Sequence, residues 1–248
     1  MILINGYLHP VDGADIPQGF VAFSAGKITA VGPMDQLPAN RSEEMCDLKG
    51  ARVCPGFIDA HCHLGLFGSG LGFEADDGNE ATDPVTPHLR ALDAVNPLDR
   101  YFSEARAAGV TTVLTGPGSA NPVSGQGVIL KTAGRWVDEM ILSAPACMKF
   151  ALGENPKTVY NDRKEGPVTR MATAAMIREI LCKAADYQVK KQMSEADPED
   201  EGPEYDAKLE ALLPVLSRQV PAHFHAHRAD DIATALRISR EFNLKPVI

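Results

Sequence analysis

Five of the seven histidines in this 248-residue chain fall in two short runs, which makes these runs the first candidates for chemistry. The first run is DAHCH, with His61 and His63, and the second is HFHAH, with His223, His225 and His227. Neutral imidazole is the commonest protein ligand for zinc and similar ions. The two runs therefore predict a metal site, while hydrogen-bonded histidines at the ends of strands are the plainer alternative.

The residues around both runs favour β-strands, and this decides which histidines can act together. Side chains two positions apart in a strand share one face and lie about 6.7 Å apart, so His61 and His63 point to the same side. His223, His225 and His227 also share a face, over a span too long for all three to bind one ion. We predict His225 as the ligand, with His227 directed toward the substrate and His223 packed deeper.

Three further residues lie where such a site could use them. Lys149 sits among apolar residues in ACMKFAL, and a buried amine is costly unless it is paired or neutral. Carbamylation by carbon dioxide would turn it into a carboxylate-like bridge between two ions, whereas an ion pair at the mouth of the fold is the alternative. Glu154 follows the same segment as a substrate contact or a competing oxygen ligand. His88 lies in the long acidic connection 64–96, where we predict another substrate contact.

Strand-like and helical segments alternate from Pro55 onward, and they must position these side chains. The predicted strands are 56–63, 109–116, 127–132, 146–152, 220–227 and 245–248. The predicted helices are 98–108, 169–191, 207–218 and 230–242. This alternation predicts a parallel sheet, either open and doubly wound or closed into a (β/α) barrel. In a barrel both histidine runs would meet at the mouth formed by the carboxyl ends of the strands.

Residues 1–54 have a different pattern, in which short β-rich runs are separated by turn signals such as VDGAD and SAG. We expect a tight hairpin at 24–26 and a small all-β unit, too short to bury a good core alone. The predicted domains are therefore 1–54 and 55–248. Six strands fall short of a complete barrel, which takes about 250 residues. Since the sequence also stops within the apolar run KPVI, we expect it to be the N-terminal part of a longer protein.

The composition limits the partners of the protein. A net charge of -9 and a pI near 5.3 provide no basic surface for nucleic acid. Five cysteines without a CxxC pair favour a reducing, cytoplasmic setting. No apolar run approaches the roughly 20 residues that span a bilayer. We expect a cytoplasmic protein with a small-molecule substrate and no membrane partner, and a homo-oligomer stays open.

The stretch PGFIDAHCHLG at 55–65, taken with the β-rich head and the later HAHRADD, resembles the amidohydrolase superfamily, particularly its imidazolonepropionase-like branch. The resemblance extends over essentially the whole chain. It implies an α/β fold, namely a (β/α)8 TIM-type barrel that is incomplete in this chain. It also implies that 1–54 is a small β-sandwich segment and that 55–248 holds the first six barrel strands.

The same resemblance implies a metal-dependent hydrolase of C–N bonds in amides or cyclic amides, acting through a metal-activated hydroxide. One or two divalent ions, zinc first, would be held by His61 and His63 on the first strand, Lys149 on the fourth and His225 on the fifth. The family's sixth-strand histidine and catalytic aspartate would lie beyond Ile248, so the chain alone is expected to be inactive. A metal-dependent dipeptidase, a deaminase and a non-catalytic fragment that needs a second chain to complete its barrel stay as alternatives.

Overall fold

The computed structural model describes residues 1–37, 43–68, 70–197 and 199–248. The chain divides into two compact units, Met1–Phe57 and Ile58–Ile248. Within the described ranges, no helix is both long enough and apolar enough to cross a membrane.

The first unit is built on one five-stranded sheet. Its strands are β1 (Ile2–Leu8), β2 (Ile16–Ser24), β3 (Lys27–Pro33), β4 (Met45–Asp47) and β5 (Arg52–Val53). The order is β3-β2-β1-β4, and β5 also pairs with β1. The first three strands form an antiparallel meander, whereas β4 and β5 run parallel to β1. The described residues of this unit thus form a single sheet, and a sandwich stays a prediction.

The predicted hairpin at 24–26 is confirmed. Ser24 pairs with Lys27, which leaves Ala25 and Gly26 as a two-residue turn between β2 and β3. Both turn residues have positive φ angles, 49° and 74°. This is the geometry of a type I′ turn, whose twist matches that of the two strands it joins.

The second unit contains a six-stranded sheet whose strands follow chain order from edge to edge. They are β6 (Phe57–Cys62), β7 (Val110–Thr115), β8 (Val123–Lys131), β9 (Ile141–Ala151), β10 (Ala222–His225) and β11 (Pro246–Val247). β9, β10 and β11 are parallel to one another. The edges of this sheet are β6 and β11, so the described residues form an open sheet.

The prediction of an all-parallel sheet is wrong at β8, the strand expected at 127–132. β8 runs antiparallel to both β7 and β9. Only residues 116–122 connect β7 to β8, and a parallel crossover needs a dozen or more. The short connection therefore forces the chain to turn back, and the alternation of strands and helices is interrupted at this point.

The described residues contain six α-helices. They are α1 (Arg100–Ala107), α2 (Val137–Met140), α3 (Glu154–Asp162), α4 (Arg170–Ala196), α5 (Ala207–Leu216) and α6 (Ala229–Glu241). The helix predicted at 169–191 is confirmed as α4, on which Ile177, Leu181 and Ala184 recur at helical spacing and form a fully buried apolar stripe. They pack with residues of β9, β10, α5 and α6 in the larger of two cores. This core holds the strands that carry Lys149 and the second histidine run.

The long connection 64–96 folds onto the sheet. It contains two 3-10 turns, Gly72–Ala75 and Ala91–Asp93, and makes parallel bridges to β8 at Val85–Val123 and Arg90–Gln126. Several apolar side chains of this connection, including that of Leu66, enter the second core together with Phe102 of α1. The segment that follows the first histidine pair is thereby held against the sheet.

Candidate metal centre

A small cavity brings residues of both histidine runs together. Its polar lining includes His61 and His63 of the β6 end, Lys149 of β9 and His223 of β10. The volume is about 10 Å³, close to the space that one water molecule or one ion requires. Imidazole and amine nitrogens gathered around a space of this size form a candidate metal centre.

His63 is oriented by the strand next to it. Its Nδ1 lies 2.7 Å from the carbonyl oxygen of Gly116, the residue that follows β7. With Nδ1–H donating to this oxygen, Nε2 keeps a free lone pair. A backbone carbonyl that fixes the tautomer in this way is the usual support for a metal-binding histidine.

Lys149 and His61 form the closest contact in the cavity. The Lys149 side chain is almost fully buried, and its Nζ lies 3.0 Å from Nε2 of His61. Two nitrogen ligands of one tetrahedral zinc ion, each bonded at 2.0–2.1 Å, would be about 3.3 Å apart. The observed spacing is thus close to that of two groups sharing an ion. Burial lowers the pKa of Lys149, and burial followed by the Lys149 charge lowers the pKa of His61.

The pairing of β9 with β10 decides which histidine of the second run reaches the cavity. His223 lies opposite Lys149 in the sheet, and His225 lies opposite Ala151. The ring centroid of His223 is 6.4 Å from that of His61. Burial, then the charges of His61 and Lys149, lowers the pKa of His223 to about 4. His223, which the sequence analysis placed deeper, therefore lies with the first histidine pair.

His225 is outside this cavity lining but carries an unused nitrogen. Within the described part of the chain its buried Nε2 has no hydrogen-bond partner, and its ring meets that of His227 edge to face at 4.5 Å. Burial, followed by the charge of Lys149, lowers the pKa of His225 to about 4, so the ring is neutral at pH 7. A buried polar atom without a partner costs about 1–3 kcal/mol. A metal ion bound to Nε2 would remove that cost, so this residue fits a ligand role.

A cluster of charges lies at the turn that follows β9. Arg170 donates two hydrogen bonds to the buried carboxylate of Asp231, at 2.8 and 3.2 Å, and lies 3.6 Å from Glu154. Gly153 makes room for this pair, because a Cβ there would be 2.6 Å from an Asp231 oxygen. The cluster fixes the turn that carries Glu154, whose carboxylate opposes the lowering of the His225 pKa. Arg170 was not among the residues predicted for the site, and its only signal in the sequence is its place at the start of a predicted helix.

His88 lies in a different environment from these residues. Its Nδ1 is buried without a partner among the described residues, and its charge acts on Asp83, which binds Lys208 at 2.5 Å. The described contacts do not join His88 to the histidine cavity, and its substrate role stays a prediction.

The side chains around the cavity are not arranged as a finished coordination sphere. No group of three or more His, Cys, Asp or Glu side chains among the described residues is positioned to hold a metal. The ring centroids of His61 and His63 are 5.7 Å apart and their planes are nearly perpendicular.

Comparison with known proteins identifies relatives but no matching family model. A solved amidohydrolase structure from Thermotoga maritima MSB8 is 46% identical, with a TM-score of 0.94 over 100% of this chain and 63% of that chain. The amidohydrolase tasK of Hapsidospora irregularis is 33% identical in an alignment 247 positions long, which covers 90% of this chain and 25% of that protein. An imidazolonepropionase of Colwellia psychrerythraea is 31% identical in an alignment 174 positions long, which covers 61% of this chain and 40% of that protein.

The chain thus spans less than two thirds of the length of each of these relatives. Within that span the alignment with the Thermotoga structure covers the whole of this chain. The mixed α/β fold and these sequence relationships lead to one conclusion: the chain belongs to the amidohydrolase superfamily.

Proposed function

We propose that this chain supplies most of the metal ligands of a hydrolase that cleaves C–N bonds in amides or cyclic amides. The observation that carries the proposal is the convergence of His61, His63, Lys149 and His223 on one ion-sized cavity. Membership of the amidohydrolase superfamily and the names of the relatives support the reaction class.

The ligands that we propose are His61, His63, Lys149 and His225, with His223 as a competing nitrogen donor. The unpartnered Nε2 of His225 and the free Nε2 of His63 fit this assignment. A divalent ion, zinc first, supplies Lewis acidity and a water nucleophile near neutral pH when it is bound. Lys149 could act as an amine or as a carbamate that bridges two ions.

The protein environment keeps these groups in the state that metal binding requires. Burial lowers the pKa values of His61, His223 and His225, so all three are neutral at pH 7. Neutral imidazole binds a cation, whereas imidazolium has no free lone pair. Burial also lowers the pKa of Lys149, which eases loss of its proton before it donates a lone pair or reacts with carbon dioxide.

The substrate contacts that we propose lie at the rim of the site. His227 is exposed and meets His225 edge to face, and Glu154 is held near Arg170 at the end of β9. From there they can orient polar groups on either side of the reacting bond, and His88 is a third candidate in the connection 64–96. The proton-transfer residue of the reaction is proposed to lie outside residues 1–248.

Zinc binding by the metal-stripped protein tests the ligand assignment. We expect His63→Gln and His225→Gln to weaken zinc binding at least tenfold in a competition assay with a chromophoric chelator, as loss of a ligand or its support does. His9→Gln is the matched control, because His9 lies in the first unit and pairs with Asp15. Equal zinc affinity in all three variants would exclude this site.

Product analysis with the full-length protein tests the reaction class. Cyclic amides, dipeptides and aminated heterocycles are offered to the zinc-loaded enzyme, and the products are separated. A new carboxylate from a cyclic amide supports the proposal. Release of amino acids from dipeptides would favour a dipeptidase, and release of ammonia from a heterocycle would favour a deaminase. Absence of turnover with zinc bound would favour the non-catalytic alternative.

A further inference from the structure

An aromatic side chain stands directly beside the first histidine pair. Phe67 follows His63 by four residues, and the two rings meet edge to face with their centroids 5.9 Å apart. Phe67 is 39% exposed although Leu66, the residue before it, is buried in the core. A large apolar ring thus stays open to solvent next to a proposed metal ligand.

The backbone around Phe67 is held firmly. Phe67 forms an antiparallel bridge with Asp76, and Gly68 N–H donates to the Ala75 carbonyl at 2.8 Å. On the other side of the bridge, Asp77 N–H donates to the Leu66 carbonyl at 2.9 Å. The ring therefore projects from a paired segment of backbone.

The ring itself is fixed by a glycine. A Cβ at Gly78 would lie 1.9 Å from Cζ of Phe67, so the ring occupies the space that any other residue would fill. Gly78 is in turn tied to the loop after β7, because Gly118 N–H donates to its carbonyl at 2.7 Å. The Phe67 ring thus contacts both His63 and Gly78, and Gly78 is hydrogen-bonded to the loop whose Gly116 orients His63.

We propose that Phe67 is a specificity-determining wall of the substrate site, which selects substrates with an apolar alkyl or aryl group beside the reacting C–N bond. This inference rests on the proposed function, because it takes the neighbouring histidines as the reaction centre. A fixed, half-exposed aromatic face binds an apolar group without losing side-chain freedom, and the area it covers is removed from water. Gain or loss of a small apolar contact in such a pocket changes the selectivity between two substrates by about 10- to 200-fold.

The test compares two zinc-chelating probes that differ only in their apolar part. Acetohydroxamate carries a methyl group and benzohydroxamate carries a phenyl group, and their dissociation constants for the zinc-loaded full-length protein are measured by calorimetry. We expect the natural protein to prefer benzohydroxamate. Phe67→Ala should reduce that preference about tenfold and leave acetohydroxamate binding within about twofold, while Phe67→Leu should keep part of it.

Phe73→Ala is the matched control, because Phe73 lies in the same connection and is 89% exposed. It should leave both dissociation constants unchanged, and zinc content and thermal unfolding verify that each variant is folded and loaded. The proposed specificity role of Phe67 is overturned if Phe67→Ala keeps the preference for benzohydroxamate. It is also overturned if Phe67→Ala weakens binding of both probes equally, since Phe67 would then only support His63. If the natural protein binds zinc but binds both probes with equal affinity, only the role of Phe67 is overturned. If it binds no zinc, the proposed function is overturned as well.

Discussion

Replacing His223 with glutamine tests whether the buried histidines are held neutral by their surroundings. Burial, followed by the charges of His61 and Lys149, lowers the pKa of His223 from 6.5 to about 4. Between these pH values the unfolded chain binds a proton on His223, whereas the native metal-free protein does not. The contribution to stability is therefore complete above pH 6.5 and is lost as the pH falls toward 4, so stability rises with pH across this window.

The size of the effect follows from the width of the window. A fully water-free site would give about 3 kcal/mol, because each pH unit corresponds to about 1.4 kcal/mol. His223 lines the cavity, and solvent screening there reduces the contribution to roughly half, about 1–2 kcal/mol. Glutamine has a similar size and no titrating group, so His223→Gln should lose only this part of the acid sensitivity.

Urea unfolding of the metal-free proteins, followed by far-ultraviolet circular dichroism, measures the free energy of unfolding at several pH values. The stability advantage of the natural protein over His223→Gln should shrink by about 1–2 kcal/mol between pH 6.5 and 4. Carboxylates titrate in both proteins, so their effect cancels in the difference. The same pH dependence in both proteins would refute the reasoning, since His223 would then take up its proton as readily in the native state as in the unfolded one.

Three further substitutions test the site, the aromatic wall and the core. Lys149→Met removes the amine 3.0 Å from the first histidine and should lower zinc affinity about 10- to 100-fold in a chelator competition, so retained affinity would argue against its role. Gly78→Ala places a methyl group against the Phe67 ring and should lower the free energy of unfolding by about 1–3 kcal/mol, which urea unfolding measures. It should also reduce the preference for benzohydroxamate, which calorimetry measures. Leu181→Ala, at a fully buried position, should cost about 2–5 kcal/mol in urea unfolding, whereas Cys182→Ala at the exposed neighbour should cost little.

Local sequence patterns predicted the elements well where one periodicity dominates. The α4 stripe could be recognised because Ile177, Leu181 and Ala184 recur at helical spacing and have only one core to enter. The turn at Ala25 and Gly26 could be recognised because a two-residue connection between β-rich runs admits few conformations. In both cases the information lies within a few residues of the feature.

Helix α3 depended on contacts that the sequence does not display, whereas the direction of β8 did not. Helix α3 begins after Gly153, which adopts a φ of 80°, and it is anchored by Tyr160, whose hydroxyl donates to Asn121 at 2.7 Å. Its sequence, ENPKTVYND, has little helical propensity of its own, so tertiary contacts determine its structure. The direction of β8 could have been inferred, because the glycine- and proline-rich segment 116–122 is too short for a crossover.

The candidate site divides in the same way. The alternation of side chains along a strand places His61 and His63 on one face of their strand. It likewise places the three histidines of the second run on one face of theirs, and both inferences required only the sequence. Which member of the second run would meet the first pair depends on how β10 pairs with β9. A shift of the register along the strand exchanges the histidine that lies opposite Lys149, and the spacing of the histidines alone contains no record of it.

The apolar face of the same two strands determines this register. Phe150 and Phe224 are paired across β9 and β10, and their rings stack with centroids 4.9 Å apart in the core. Because neighbouring residues in a strand point to opposite faces, the pairing of the two phenylalanines places His223 opposite Lys149 on the other face. Changes in this phenylalanine pair would therefore alter the metal site without touching it, and the core of the second unit is part of what positions the proposed ligands.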